Sequence, residues 1–243
     1  VPDFLLENHE LNAYNYLVRW DFNYHPDSVA PLIFEKFYEN FAKMMLADEM
    51  GDTLFEKFAD FDLQIDYFLN QTVINDSSEW SNDVSTPKKE KLSDIMLKAF
   101  QRTVGELTND MGENQEKWVW GKVHKLDLQH PLGKVKMLDW AFNLNRLESV
   151  GGSFHTVSPY SYTFGAENFY AKHGASHRHI FTLDNFDNSQ TVIPTGVSGI
   201  PGSKHYCDQT DMYIKGVYHA DWFSGASVKS QARYTTVFVP GRN

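Results

Sequence analysis

Apolar residues recur at three- and four-residue spacing through the first 110 residues of this chain, and then the period breaks. Val29, Leu32, Ile33, Phe37, Phe41, Met44 and Met45 make one broad stripe. It predicts a core helix opening after Ser28, a good N-cap, with Pro31 tolerated in its first turn. Leu54, Phe55, Phe58, Phe61, Ile65, Phe68 and Leu69 repeat the spacing after a break at Gly51-Asp52-Thr53, and Leu92, Ile95, Met96, Ala99, Val104 and Leu107 repeat it between Lys88 and Asp110. Leu5 to Val18 reads the same way, and Thr72 to Pro87 reads as a loop. Stripes at this spacing are accounted for by packing, so their aromatic and methionine residues belong to the core rather than to a cofactor box.

Beyond Gly112 the pattern becomes that of short strands bounded by Gly, Pro, Asn and Asp. Trp118 to His124, Gly151 to Val157, Ser176 to Asp184, Thr191 to Pro194 and Tyr234 to Val239 are the predicted strands, with Asn185 to Ser189 as a turn. Helices followed by strands without alternation give an α+β fold. With no repeat or linker in view, residues 1–243 are read as a single structural unit: 1–112 mainly helical, 113–243 mainly β with a short helix near 204–217.

Charge narrows the partners. Lys+Arg total 22 against Asp+Glu 32, a formal net charge of −10, which opposes the counterion-release binding of nucleic acids. No apolar run approaches the ~20 residues of a helical membrane span, so neither nucleic acid nor membrane is an expected partner. The lone Cys207 excludes an internal disulfide and a cysteine-cluster metal site. The opening Val1-Pro2-Asp3, without methionine or a signal-like stretch, leads to the expectation of a processed or truncated product.

Several residues invite chemical readings. His177 and His179 would share a face of a strand, and with His205 they suggest a zinc hydrolase, Asp208 and Asp211 completing the shell; Arg178 between them opposes a cation. Ser198 in Gly196-Val197-Ser198-Gly199 resembles a nucleophile elbow, but the second glycine comes one position too early, which leaves it a turn residue. Asp208 and Asp211 resemble a carboxylate dyad, yet acids early in a helix are explained by its dipole. Tyr160, Tyr162, Phe164 and Tyr170 suggest a noncatalytic surface for glycans or a protein partner. None of these residues is assigned a catalytic, cofactor-binding or metal-binding role.

Gly196 to Tyr213 also carries a wider pattern. A Gly-x-Ser-Gly turn passes through Ser203-Lys204-His205-Tyr206 into Asp208-Gln209 and an aromatic residue, with Ser203 as the expected N-cap of the short helix. Trp20-Asp21, Asp27 to Pro31, Ser78 to Asp83, Trp118 to His124, Gly151 to Val157 and Ser176 to Ile180 accompany it in one order, from about residue 11 to residue 225. In this the chain resembles the penicillin acylase family of N-terminal-nucleophile hydrolases.

The resemblance implies the C-terminal portion of a four-layer αββα fold, within the large catalytic subunit of an amide hydrolase. It implies an N-terminal serine, exposed by self-cleavage of a precursor, attacking an amide carbonyl. The serine's own α-amine, titrating near pH ~8, serves as the base. Val1 has no hydroxyl or thiol, and internal serines such as Ser153 and Ser198 have no free α-amine. The resemblance implies that the nucleophile, the oxyanion-stabilising asparagine, its nearby arginine and any calcium ligands lie upstream of the region matched here. The expected partners are that upstream part of the same precursor and an N-acyl small-molecule substrate. A β-lactam side-chain amide and an acyl-homoserine lactone both fit, and the expected location is periplasmic or extracellular. Arg178 is expected to fasten the terminal helix to the sheet, with Asp208 as its proposed partner.

Overall fold

The computed structural model describes residues 6–59, 62–75, 79–142, 147–166 and 168–241, without the side chains of 62–64. Contacts divide the chain into two compact units, residues 1–128 with 145–174 and residues 129–144 with 175–243. The soft boundary expected near Gly112 lies inside the first.

The first unit is built on helices α1 (Asn8–Val18), α2 (Ala30–Met50), α3 (Asp52–Ala59), α4 (Asp62–Ile74) and α5 (Leu92–Met111). Helix α2 begins one residue later than its sequence suggests: Val29 is the N-cap residue, while the Ser28 carbonyl accepts from Trp120 N–H. The stripe from Leu54 to Leu69 is divided between α3 and α4, with Phe61 outside the described residues. Helix α5 opens with the Asp94 carboxylate accepting from Lys91 N–H at 3.0 Å and stops before Gly112.

Two cores follow from the stripes. Phe41, Met45 and Leu46 of α2 pack with Phe55, Ile65, Leu69, Ile95 and Ala99. Leu32 and Ile33, at the other end of α2, pack with Phe100, Val104, Leu107, Trp118, Trp120 and Tyr162. Each Leu, Ile, Val, Met or Phe side chain among them contributes roughly 1.5–3 kcal/mol on full burial. The two cores make α2 the axis of the unit.

The strands of the second half are shorter than their sequence suggests. Among the described residues of the first unit, β1 (Lys125–Leu126) and β2 (Glu148–Ser149) pair antiparallel, and isolated bridges join Leu126 to Ala171 and Ser161 to His173. Trp118 to His124 is a turn with a 3₁₀ segment at Trp120–Lys122, because Trp118 and Trp120 both enter the core and the Trp120 and Gly121 N–H groups bond to the 26–28 loop. Gly151 to Val157 is likewise a turn, closed by Thr156 N–H on the Ser153 carbonyl.

The second unit holds an antiparallel sheet in the order β3 (Arg178–Ile180), β4 (Gln190–Val192), β5 (His219–Ala220), with helices α6 (Asp139–Phe142), α7 (Thr210–Lys215) and α8 (Gly225–Gln231). The expected turn at 185–189 joins β3 to β4 through a 3₁₀ segment. Ser203 does not cap α7; its hydroxyl accepts from His205 N–H inside the preceding loop, and Gln209 occupies the cap position. Arg178 Nη1 donates to the Tyr213 carbonyl at 2.9 Å, and the guanidinium lies 3.9 Å over the Tyr213 ring. The strand is thereby tied to the helix as expected, with Tyr213 as a partner, whereas the Asp208 carboxylate meets His205 Nδ1 at 2.7 Å. Tyr234 to Val239, expected as a last strand, has no assigned strand or helix.

Candidate functional site

An aromatic-lined hollow of the first unit is assembled by α2, α4 and two loops. Phe34 and Tyr38 lie one turn apart on α2, their rings stacked at 6.2 Å. Between α1 and α2 the chain turns sharply: Asp21 accepts from Asn23 N–H at 3.0 Å and Trp20 Nε1 donates to the Asn23 carbonyl at 3.1 Å. This turn sets Phe22 at φ 62, a left-handed conformation that costs a bulky side chain roughly 1–2 kcal/mol. The Trp20 ring sits 5.3 Å from Phe22, 5.1 Å from Tyr24 and 5.5 Å from Phe34. With Asp66 and Asn70 from α4 and His155 from the 151–157 turn, these rings bound a pocket of about 340 Å³.

One wall is polar. His155 Nε2 lies 2.8 Å from each oxygen of Asp66, whose carboxylate also accepts the Tyr38 hydroxyl. Behind the aromatic wall, the Glu35 carboxyl is fully buried and accepts from Ser153 Oγ at 2.7 Å and Tyr162 Oη at 2.6 Å. Burial, then the charge of Glu35, raises the Tyr24 and Tyr162 hydroxyls well above the ordinary phenol range, so both stay protonated and able to donate. One turn on, Glu39 accepts from Gly165 N–H at 2.9 Å; burial raises its carboxyl to about 7. Gly151 makes this packing feasible, since any Cβ there would run into the Tyr24 carbonyl oxygen.

The arrangement offers ring faces, one carboxylate and an imidazole. The chemistry it supports directly is binding. Ser153 is fully buried, and its hydroxyl donates to Glu35.

The residues singled out in the sequence fall elsewhere. His177 and His179 do share a face, their rings 5.4 Å apart. Yet His177 bonds to Thr191 Oγ1 at 2.6 Å, His179 Nε2 lies 2.9 Å from Asp221, and His205 pairs with Asp208. Among the described residues no group of three His, Cys, Asp or Glu side chains is placed to hold a metal ion. Ser198 is a turn residue, its hydroxyl accepting from Ile200 N–H. Tyr160, Tyr162 and Phe164 are core residues rather than an exposed binding surface, Tyr162 held by Glu35 and Phe164 packed against the α2–α3 cluster; Tyr170 is half-buried. Glu35, Asp66 and Tyr38 were missed, although acids at 35 and 39 interrupt the apolar stripe of α2 at four-residue spacing.

The penicillin amidase family profile matches residues 1–230. The chain belongs to the penicillin amidase family. It is 26% identical over 219 residues to the acyl-homoserine lactone acylase QuiP of Pseudomonas syringae pv. tomato, covering 87% of this chain and 26% of that protein. It is 33% identical over 120 residues to the penicillin acylase 2 proenzyme of Pseudomonas sp. SE83, covering 46% of this chain and 15% of the proenzyme. The thermostable penicillin G acylase of Alcaligenes faecalis superposes with a TM-score of 0.50 at 14% identity, over 99% of this chain and 45% of its own. The chain thus spans about a quarter of the length of the curated acyl-homoserine lactone acylases it matches. Its fold is α+β, part of the N-terminal-nucleophile hydrolase architecture of the penicillin acylases, with helices mostly in the first half.

Proposed function

We propose that this chain is a structural part of an N-acyl amide hydrolase, cleaving a linear amide through an N-terminal serine that lies upstream. The observation that carries the reading is the family match over residues 1–230 of a chain spanning only a quarter of such relatives. The chemistry requires a hydroxyl and an α-amine on the same residue, which an N-terminal serine supplies. Residues 234–239 add support: Tyr234, Val237, Phe238 and Val239 are 76–92% exposed, an apolar load suited to a strand that pairs with protein outside this chain. The same reading places the enzyme in the periplasm or outside the cell and leaves any calcium to upstream residues.

The test is amine release from an N-acyl-homoserine lactone and from a phenylacetyl amide, measured for the complete precursor, for a variant with its junction nucleophile changed to alanine, and for the 243-residue chain. Turnover by the precursor alone is expected. Comparable turnover by the isolated chain, or none by the precursor on either amide, would overturn the proposal.

A further inference from the structure

The aromatic pocket has a composition that the amide chemistry does not use. Aromatic faces carry negative potential at their centres, and a carboxylate in the same wall adds a full charge. Trp20, Phe22, Tyr24, Phe34 and Tyr38 supply the faces, with neighbouring centroids 5.1–6.2 Å apart. Asp66 supplies the charge, its side chain retaining 19% exposure. The Tyr38 hydroxyl is neutral, and with a neutral imidazole donating Nε2–H to Asp66 the Asp66–His155–Tyr38 cluster carries one net negative charge, that of the carboxylate. A volume of about 340 Å³ suits a small molecule. Phe22 is the independent sign of a built site: the residue is 78% exposed, yet the backbone holds it in a left-handed conformation beside Trp20. Strain of this kind, kept without burial to compensate it, is found where a side chain must be presented.

We propose that this pocket binds a small organic ammonium ion, its alkyl groups against the faces of Trp20, Phe22 and Phe34 and its charge turned to Asp66. A hydrated metal ion finds too few oxygen ligands among these walls, and an anion meets the wrong sign. An uncharged apolar molecule would use the rings without using Asp66.

The discriminating experiment is calorimetric titration of the 243-residue chain at pH 8 with choline and with its neutral carbon isostere, dimethylbutanol. Choline is expected to bind at least about tenfold more tightly, the difference resting on ring faces and carboxylate. Asp66→Asn is expected to remove most of that preference while leaving dimethylbutanol unchanged. Phe34→Leu, which keeps an apolar wall and removes a ring face, is expected to weaken choline about three- to tenfold with the isostere again unaffected. Far-UV circular dichroism establishes that both variants are folded, and Phe34→Leu carries the test if Asp66→Asn is not. Equal affinity for the two probes, or no choline binding at millimolar concentration, overturns the proposal.

Discussion

Glu39 makes the chain's stability fall with rising pH in a range where most carboxylates do the reverse. The side chain is almost wholly buried on α2, and burial is the largest influence on it. Gly165 N–H and Lys36, 3.8 Å away, favour the charged form, while Glu35 and Glu106 oppose it; the balance lifts the carboxyl from its ordinary 4.5 to about 7. A group whose folded-state pKa is raised takes up a proton on folding between the two values. Its stabilising contribution is complete below about 4.5 and is lost as pH climbs through about 7. That gap corresponds to roughly 3 kcal/mol over the window.

Glu39→Gln removes the titration and keeps an oxygen for Gly165 N–H. Urea unfolding of both proteins, followed by tryptophan fluorescence at pH 5 and pH 8, isolates the site because every other titrating group is common to the pair. The expected result is a variant that gains roughly 2–3 kcal/mol on the parent between the two pH values. Parallel stability profiles for parent and variant would refute the reasoning, and a gain of opposite sign would show that Glu39 folds as a paired carboxylate.

Two further predictions test other parts of the fold. Gly196→Ala should cost roughly 1–3 kcal/mol in urea unfolding, since a Cβ there runs into the His205 carbonyl oxygen and comes within 2.8 Å of Asp208 Oδ1; Gly199→Ala, in open space three residues on, is the control and should be nearly neutral. Buried His124 stacks 4.4 Å from Trp120 and has Nδ1 at 2.7 Å from the Phe169 carbonyl, with burial lowering its pKa to about 4 against the opposing pull of that bond. Stability from this site is therefore present above about 6.5 and lost as pH falls towards about 4, and an NMR titration of the ring that shows a midpoint near 6.5 would contradict it.

The helices were legible because their signal is local and redundant. A stripe of seven apolar residues fixes both the period and the buried face of α2, and the glycines at 51 and 112 fix where α2 and α5 stop. The strands were less legible because alternation over a few residues is matched by chance. Trp118 and Trp120 mimic one face of a strand, yet their backbone bonds go to the 26–28 loop. The resemblance carried by Gly196 to Tyr213 was readable for a related reason: Gly196 N-terminal to a tight loop, with Ser198 N–H on the His205 carbonyl, is a geometry that few residue types satisfy.

The pocket and the acids behind it were illegible because their partners are distant in sequence. Glu35 meets hydroxyls 118 and 127 residues away, and Asp66 meets His155 across 89. Period-based reading treats an acid within an apolar stripe as a tolerated exception pointing to solvent. Here the exception was the message: Glu35 and Glu39 share one buried face of α2 with Leu32 and Ala42, so the segment packed on that face must supply donors. The segment Ser153-Phe154-His155-Thr156-Val157-Ser158-Pro159-Tyr160-Ser161-Tyr162-Thr163 is dense in hydroxyls, and it does supply them, through Ser153 and Tyr162. Counting buried acceptors on a helix and searching the chain for an equally concentrated run of donors would have paired the two from sequence. That pairing also brings His155, two residues after Ser153, to Asp66, so the polar wall of the pocket follows from the same buried acids that organise the core.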